Sequence, residues 1–169
     1  FRDLLYAMLL PSSNEAAIAI AENYPGGKAA FVRKMNEKAR ELNLENTHFK
    51  DPVGLDDDND YSTVLDLSNL SAIAMKNKAL ASIFATKQKT ITDITGNNVY
   101  ELGNLNKLLG EDGVNGIKTG TTEGAGEVLV TSTVANKHTF IIIVMKSTQR
   151  FVDTRILLSL ISKNVHFIN

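Results

Sequence analysis

The chain has 169 residues and a formal net charge of -1 with no basic run, which argues against a broad electrostatic footprint for nucleic acid or an anionic membrane surface. Hydrophobic content of 43% and charged content of 22% are those of a globular domain with a sizeable core. Zero cysteines excludes disulfides and thiolate metal sites, and no apolar run approaches the length needed to span a bilayer as a helix.

Taken in order, Phe1 to Leu10 carries Leu4, Leu5, Met8 and Leu9 at near-helical spacing, a buried helix that Pro11 helps to end. The chain begins with Phe1 directly before this pattern, so its N-terminus reads as cut, with any targeting segment upstream. Ser12-Ser13-Asn14-Glu15 precedes a second helix, Ala16 to Glu22. After the break at Pro25-Gly26-Gly27, Lys28 to Leu44 is amphipathic, with Phe31, Met35, Ala39 and Leu42 along one side.

Asn46 to Tyr61 is a polar loop containing the acidic run Asp56-Asp57-Asp58-Asn59-Asp60. That run lacks the twelve-residue spacing, central glycine and terminal glutamate of a calcium loop, so it reads as a solvated loop and no metal site is expected. Ser62 to Lys76 is a helix opened by Thr63-x-x-Asp66 as a capping box, and a shorter helix runs from Lys78 to about Ala85. Thr90 to Ile94 and Asn98 to Leu102, joined across Thr95-Gly96-Asn97, read as a hairpin.

Between Gly113 and Lys146, β-branched composition and Gly-bearing breaks give three antiparallel strands: Ile117 to Thr122, Val128 to Val134 and Phe140 to Met145. Ile141 to Val144 is apolar at every position, a strand covered on both faces. Arg150 to Ser162 closes the chain as an amphipathic helix whose apolar positions are Val152, Ile156, Leu157 and Leu160. Helices first, then strands, then one helix indicate an α+β fold, an antiparallel sheet with helices against it. The pieces are a helical part (about 1–89), a hairpin (about 90–102) and a sheet with closing helix (about 113–163).

Two stretches carry chemistry. In Ile117 to Thr122, period-two alternation puts Lys118 and Gly120 on one strand face and Thr119 and Thr121 on the other. A fixed ammonium, a nearby hydroxyl and a missing side chain suit a carboxylate-bearing substrate, while an edge-strand lysine beside a bulge fits the same residues. Ser12 with Asn14 at a helix junction is the second stretch, and taken alone Ser12-x-x-Glu15 reads first as a capping box for the helix that follows.

Together, Ser12-Ser13-Asn14 and Lys118-Thr119-Gly120 resemble the S-x-N and K-T-G elements of serine penicillin-binding proteins and β-lactamases. Further text, including Arg2-Asp3-Leu4-Leu5, Leu42-x-x-x-Asn46-Thr47-x-Phe49, Gly54-Leu55-Asp56, Tyr61-Ser62-Thr63-x-x-Asp66 and Gly116 to Thr122, is similar to the D-alanyl-D-alanine carboxypeptidases. The resemblance runs through nearly the whole chain, in order.

It implies a penicillin-binding protein/β-lactamase-like fold with helices on both faces of a five-stranded sheet, whose two N-terminal strands are missing here. It implies an extracytoplasmic serine acyl transferase that removes the terminal D-Ala from the peptidoglycan stem peptide, is trapped by β-lactams and needs no cofactor. Ser12 would relay a proton to the leaving amine, and Asn14 would hold the substrate amide and the catalytic lysine. Lys118 would sustain the field that keeps Ser12 and the substrate carboxylate in place, Thr119 would bond that carboxylate, and Gly120 and Arg150 would lie near it. Thr121 would give one oxyanion N–H. A β-lactamase-related hydrolase and a non-catalytic binding module of the same fold are the rival expectations.

The resemblance breaks at one point. No serine here has a lysine three places on; Thr47-x-x-Lys50 and Thr86-x-x-Lys89 occur, with neither the residue type nor the setting. The chain alone is therefore expected to be inactive. Its Phe140 to Met145 strand is expected to offer an open edge, filled by a missing N-terminal segment or by self-association.

Overall fold

The structure, a computed structural model, describes residues 1–164; residues 165–169, which the sequence assigns to the same unit, lie outside them. The helices are α1 (Arg2–Leu9), α2 (Asn14–Glu22), α3 (Gly27–Glu41), α4 (Val64–Lys76), α5 (Lys78–Phe84) and, at the end, α6 (Arg150–Asn164). Between α5 and α6 come a hairpin, β1 (Gln88–Thr92) and β2 (Val99–Gly103), and an antiparallel sheet of β3 (Val114–Thr122), β4 (Gly126–Ala135) and β5 (His138–Ser147) in that order.

β4 is central because its residues are the most sheltered: Leu129, Thr131, Ser132 and Thr133 are fully or almost fully buried. On one face Leu129, Ile142 and Val144 pack with Leu158 of α6. On the other, Val130, Ile141 and Ile143 pack with Phe84 of α5 and Leu67, Ala74 and Met75 of α4. Successive residues of Ile141 to Val144 thus feed opposite cores, as an unbroken apolar strand requires. β3 and β5 are the edges, and β5 has no strand beyond it among the described residues.

Local chemistry sets the helix starts. Thr63 Oγ1 accepts the Asp66 N–H at 3.2 Å, as the capping box predicts. The reciprocal half is absent, because Asp66, almost fully buried, accepts instead from Asn46 N and Thr47 Oγ1, each at 2.8 Å. That ties the start of the 46–61 loop to α4.

Two expectations change. The hairpin turn runs from Asp93 to Asn98 rather than across three residues, because Asp93 gathers Asn97 N, Asn98 Nδ2 and Thr95 Oγ1 into a wider loop. Ile94, expected in a strand, stands fully exposed in that turn. The closing helix is where expected but rotated: Val152, Ile156 and Leu160 are 47%, 55% and 49% exposed, whereas Thr154 and Leu158 are 0% and 4%. Phe151, Thr154, Leu158 and Ile161 form the inward face, so α6 is apolar on both sides and periodicity alone could not choose between them.

Candidate active site

Ser12 lies in the short link between α1 and α2, with a left-handed backbone (φ 61°) unusual for a non-glycine residue. The cap of α2 is not Ser12 but Ser13. Its hydroxyl oxygen accepts from Ala16 N at 3.1 Å while its O–H donates to Glu15 at 2.9 Å. The capping reading of Ser12 is thereby corrected, and the Ser12 side chain is left exposed and uncommitted to the helix.

Opposite it stands Lys118 on β3. Across the ladder Lys118 pairs with Val130, which belongs to the α4/α5 side, and Thr119 pairs with Leu129, which belongs to the α6 side. The ammonium donates to Ser12 Oγ at 2.8 Å and to the Thr119 carbonyl at 2.7 Å, joining residues 106 positions apart. Burial, and secondarily the Arg150 charge, push the Lys118 pKa down from 10.5 to about 8.

Arg150, the first residue of α6, reaches back over the end of β3. Its Nη1 donates to the Gly120 carbonyl at 2.7 Å and to Thr121 Oγ1, while its backbone N–H donates to Glu127 at 2.9 Å. Its Nε is buried with no partner among the described residues. The Lys118 ammonium and the Arg150 guanidinium thus bond neighbouring carbonyls of β3, those of Thr119 and Gly120, and among the described residues neither charged group is hydrogen-bonded to a carboxylate, an arrangement that favours an incoming anion. Gly120 is exposed, and a side chain built there would meet only Val128 at 3.7 Å. Packing within the chain does not demand glycine at this position, whereas close approach of a ligand to the strand would.

The opposite wall of the strand end is held by Asp56. It accepts from Gly124 N at 2.9 Å, and bonds from Thr122 and then the Gly124 and Glu123 amides hold its carboxyl below the usual carboxylate range. The acidic run is thus not wholly solvated: its first member clasps the β3–β4 turn. Composition missed this, although Gly54-Leu55-Asp56 formed part of the family-like text. Asp60 behaves oppositely. Burial, then the Asp51 charge, raises its pKa, and its Oδ2 has no partner among the described residues.

The structure therefore brings Ser12, Lys118, Gly120, Thr121 and Arg150 together. Thr119 is 6% exposed and pairs across the ladder with Leu129; among the described residues its hydroxyl has no hydrogen-bond partner. Asn14 is exposed in the first turn of α2 and its side chain bonds no described group, Lys118 included. Among the described residues no group of three or more His, Asp or Glu could hold a metal ion. The arrangement can neutralise and orient a carboxylate at the strand end and pass a proton through Ser12.

Relatives are similar in sequence and in fold. A D-alanyl-D-alanine endopeptidase of Pseudomonas aeruginosa is 35% identical over 152 residues, covering 89% of this chain and 49% of that protein. D-alanyl-D-alanine carboxypeptidase DacF of Bacillus subtilis is 34% identical over 132 residues, covering 78% and 34%. The chain thus spans about half, or less, of these curated relatives. The crystal structure of the Streptomyces K15 DD-transpeptidase superposes with a TM-score of 0.84 at 34% identity, over 92% of this chain and 65% of that one. A family profile, that of the D-alanyl-D-alanine carboxypeptidases, matches residues 1–149. The chain belongs to the D-alanyl-D-alanine carboxypeptidase family, Peptidase S11.

Proposed function

We propose that this chain supplies the carboxylate-recognition and proton-relay half of a serine acyl-transfer site acting on peptidoglycan stem peptides, outside the cytoplasm. The observation that carries the reading is the 2.8 Å contact between Lys118 Nζ and Ser12 Oγ beside the Arg150 guanidinium. In this reading residues 1–169 are part of one transpeptidase-like catalytic domain.

The substrate's C-terminal carboxylate sits against Lys118 and Arg150, with the strand at Gly120 alongside. A serine hydroxyl from an S-x-x-K element attacks the carbonyl of the terminal D-Ala-D-Ala bond. Its proton passes by way of Ser12 to the leaving amine, and free D-Ala departs. Water then cleaves the acyl ester, restoring the serine. Thr121 N–H donates to the oxyanion, a contact of a kind worth about 3 kcal/mol. A β-lactam carboxylate occupies the same place and its opened ring stays as the ester.

This sequence contains no S-x-x-K, so the chain alone forms no acyl ester. That feature also favours a second reading, a non-catalytic module that binds carboxylate-ended peptides. The open β5 edge, together with the exposed Val152, Ile156 and Leu160 on the helix packed against β5, supports pairing with a further polypeptide segment or a second copy. No helix among the described residues is long and apolar enough to cross a membrane.

Labelling with fluorescent penicillin tests the assignment. The chain alone stays unlabelled, and when it is co-folded with a polypeptide carrying an S-x-x-K helix the label falls on that polypeptide. Stoichiometric covalent labelling of this chain by itself overturns the division of roles, and no labelling in the co-folded pair favours the binding module.

A further inference from the structure

Away from the Ser12–Lys118 groove, a cavity of about 370 Å³ opens between α3 and the segment around Phe49, sharing no residue with the candidate active site. Its walls are fastened to each other. Asn36 on α3 donates to the Phe49 carbonyl at 2.7 Å and accepts the Phe49 N–H at 2.8 Å, a two-way clamp between helix and loop. His48 is bonded through Nδ1 to the Asn59 carbonyl and stacked on Tyr61, and His48 and Tyr61 exchange backbone bonds of 2.9 and 3.0 Å. The hollow is therefore formed before any ligand arrives.

Charge on α3 is sorted. Lys34, Glu37, Lys38 and Glu41 pair with one another along the helix. Arg33 and Arg40 take no part in that network: both are exposed, line the cavity and bond no acid among the described residues. Seven residues apart, they stand two turns along one helix face, about 10 Å from each other. Glu37, which lies between them and also lines the cavity, is bridged to Lys34 at 3.1 Å. On the opposite wall, Lys50 and His48 share their field with Asp57, so the arginine wall holds the uncompensated charge. Val32 and Phe49 supply apolar surface.

We infer that this cavity is a second binding site, for a linear dianion whose two carboxylate or phosphate groups stand about 10 Å apart, one on Arg33 and one on Arg40, with an uncharged spacer over Val32 and Phe49. Such a site would let the chain grip an extended dianionic ligand at a place apart from the Ser12–Lys118 groove. The inference rests on the cavity alone and stands or falls separately from the catalytic assignment.

The test is an NMR titration of the whole 169-residue chain, following the Asn36, Phe49 and Lys50 amides. Three probes are compared: sebacate, whose carboxylates stand a comparable distance apart; octane-1,8-diphosphonate; and glutarate, which is too short to span both arginines. Sebacate or the diphosphonate binds at least tenfold tighter than glutarate, and the advantage disappears in Arg33→Gln and in Arg40→Gln, whose unfolding temperatures stay those of the parent. Glu37→Gln tightens binding about threefold, in the range of one exposed charge contact. Preference for sebacate assigns the ligand to carboxylate-bearing peptides, and preference for the diphosphonate to phosphate-bearing polymers. Equal binding of glutarate, unchanged affinity in both arginine variants, or no saturable shift with any probe overturns the inference.

Discussion

Replacing Lys118 with methionine should stabilise the chain near neutral pH while removing its carboxylate site. The displacement of the Lys118 pKa from 10.5 to about 8 corresponds to about 3 kcal/mol of cost for holding the charge in the folded state. Below pH 8 both folded and unfolded chains carry the proton and that cost is borne in full. Between about 8 and 10.5 the unfolded chain keeps a proton that the folded chain has released, so folding stability rises with pH across that window. Lys118→Met removes the cost and also the two hydrogen bonds to Thr119 and Ser12, each worth about 1 kcal/mol. The variant is therefore about 1 kcal/mol more stable than the parent near pH 7. It loses that advantage, and another ~2 kcal/mol, as pH passes 10.5. Urea unfolding of both proteins at several pH values between about 6.5 and 11 reads the difference directly, other titrations cancelling in the comparison. A difference that stays flat across the window would show that Lys118 is not desolvated on β3, and the field attributed to it would go too.

Leu158→Ala should cost about 2–4 kcal/mol through the cavity it leaves against Leu129 and Val144, whereas Ile156→Lys on the outward side should stay within about 0.5 kcal/mol; denaturant melts that reverse this order would restore the rotation of α6 read from its sequence. Asp56→Asn should speed hydrogen exchange at the Gly124 amide and abolish the part of acid destabilisation that comes from this carboxylate. Because its folded pKa is depressed, its contribution is present above the ordinary value of 3.8 and fades as pH falls through the folded one. Unchanged Gly124 exchange would mean that the clasp does not form in solution.

The strands and the faces of β3 were legible because alternation and β-branched composition are local properties, and Lys118 and Gly120 do share the face that meets Ser12. Ser12 itself was ambiguous for a physical reason. Ser12 and Ser13 can each serve as a cap by spacing, and only the 3.1 Å bond from Ala16 N to Ser13 Oγ shows which hydroxyl the helix uses. The face of α6 was illegible because both of its sides are apolar, so the decision lies with β4 and β5 and not with the helix. Arg150 could be placed near the strand end only through the family-like text; nothing in its own segment says that a helix-start arginine turns back onto Gly120. The work of Asp56 and Asp66 escaped composition altogether, since both act across loops that contact order, not periodicity, brings together.

The most direct measurement of the central claim is a titration of this chain with an acetylated peptide ending in D-Ala-D-Ala, observed at the Lys118 side chain and at the Gly120 and Thr121 amides. The account predicts saturable shifts at all three that vanish in Lys118→Met and when the peptide's C-terminal carboxylate is replaced by carboxamide. Identical shifts with the carboxamide peptide, or shifts confined to residues outside the Ser12–Lys118–Arg150 groove, would contradict it.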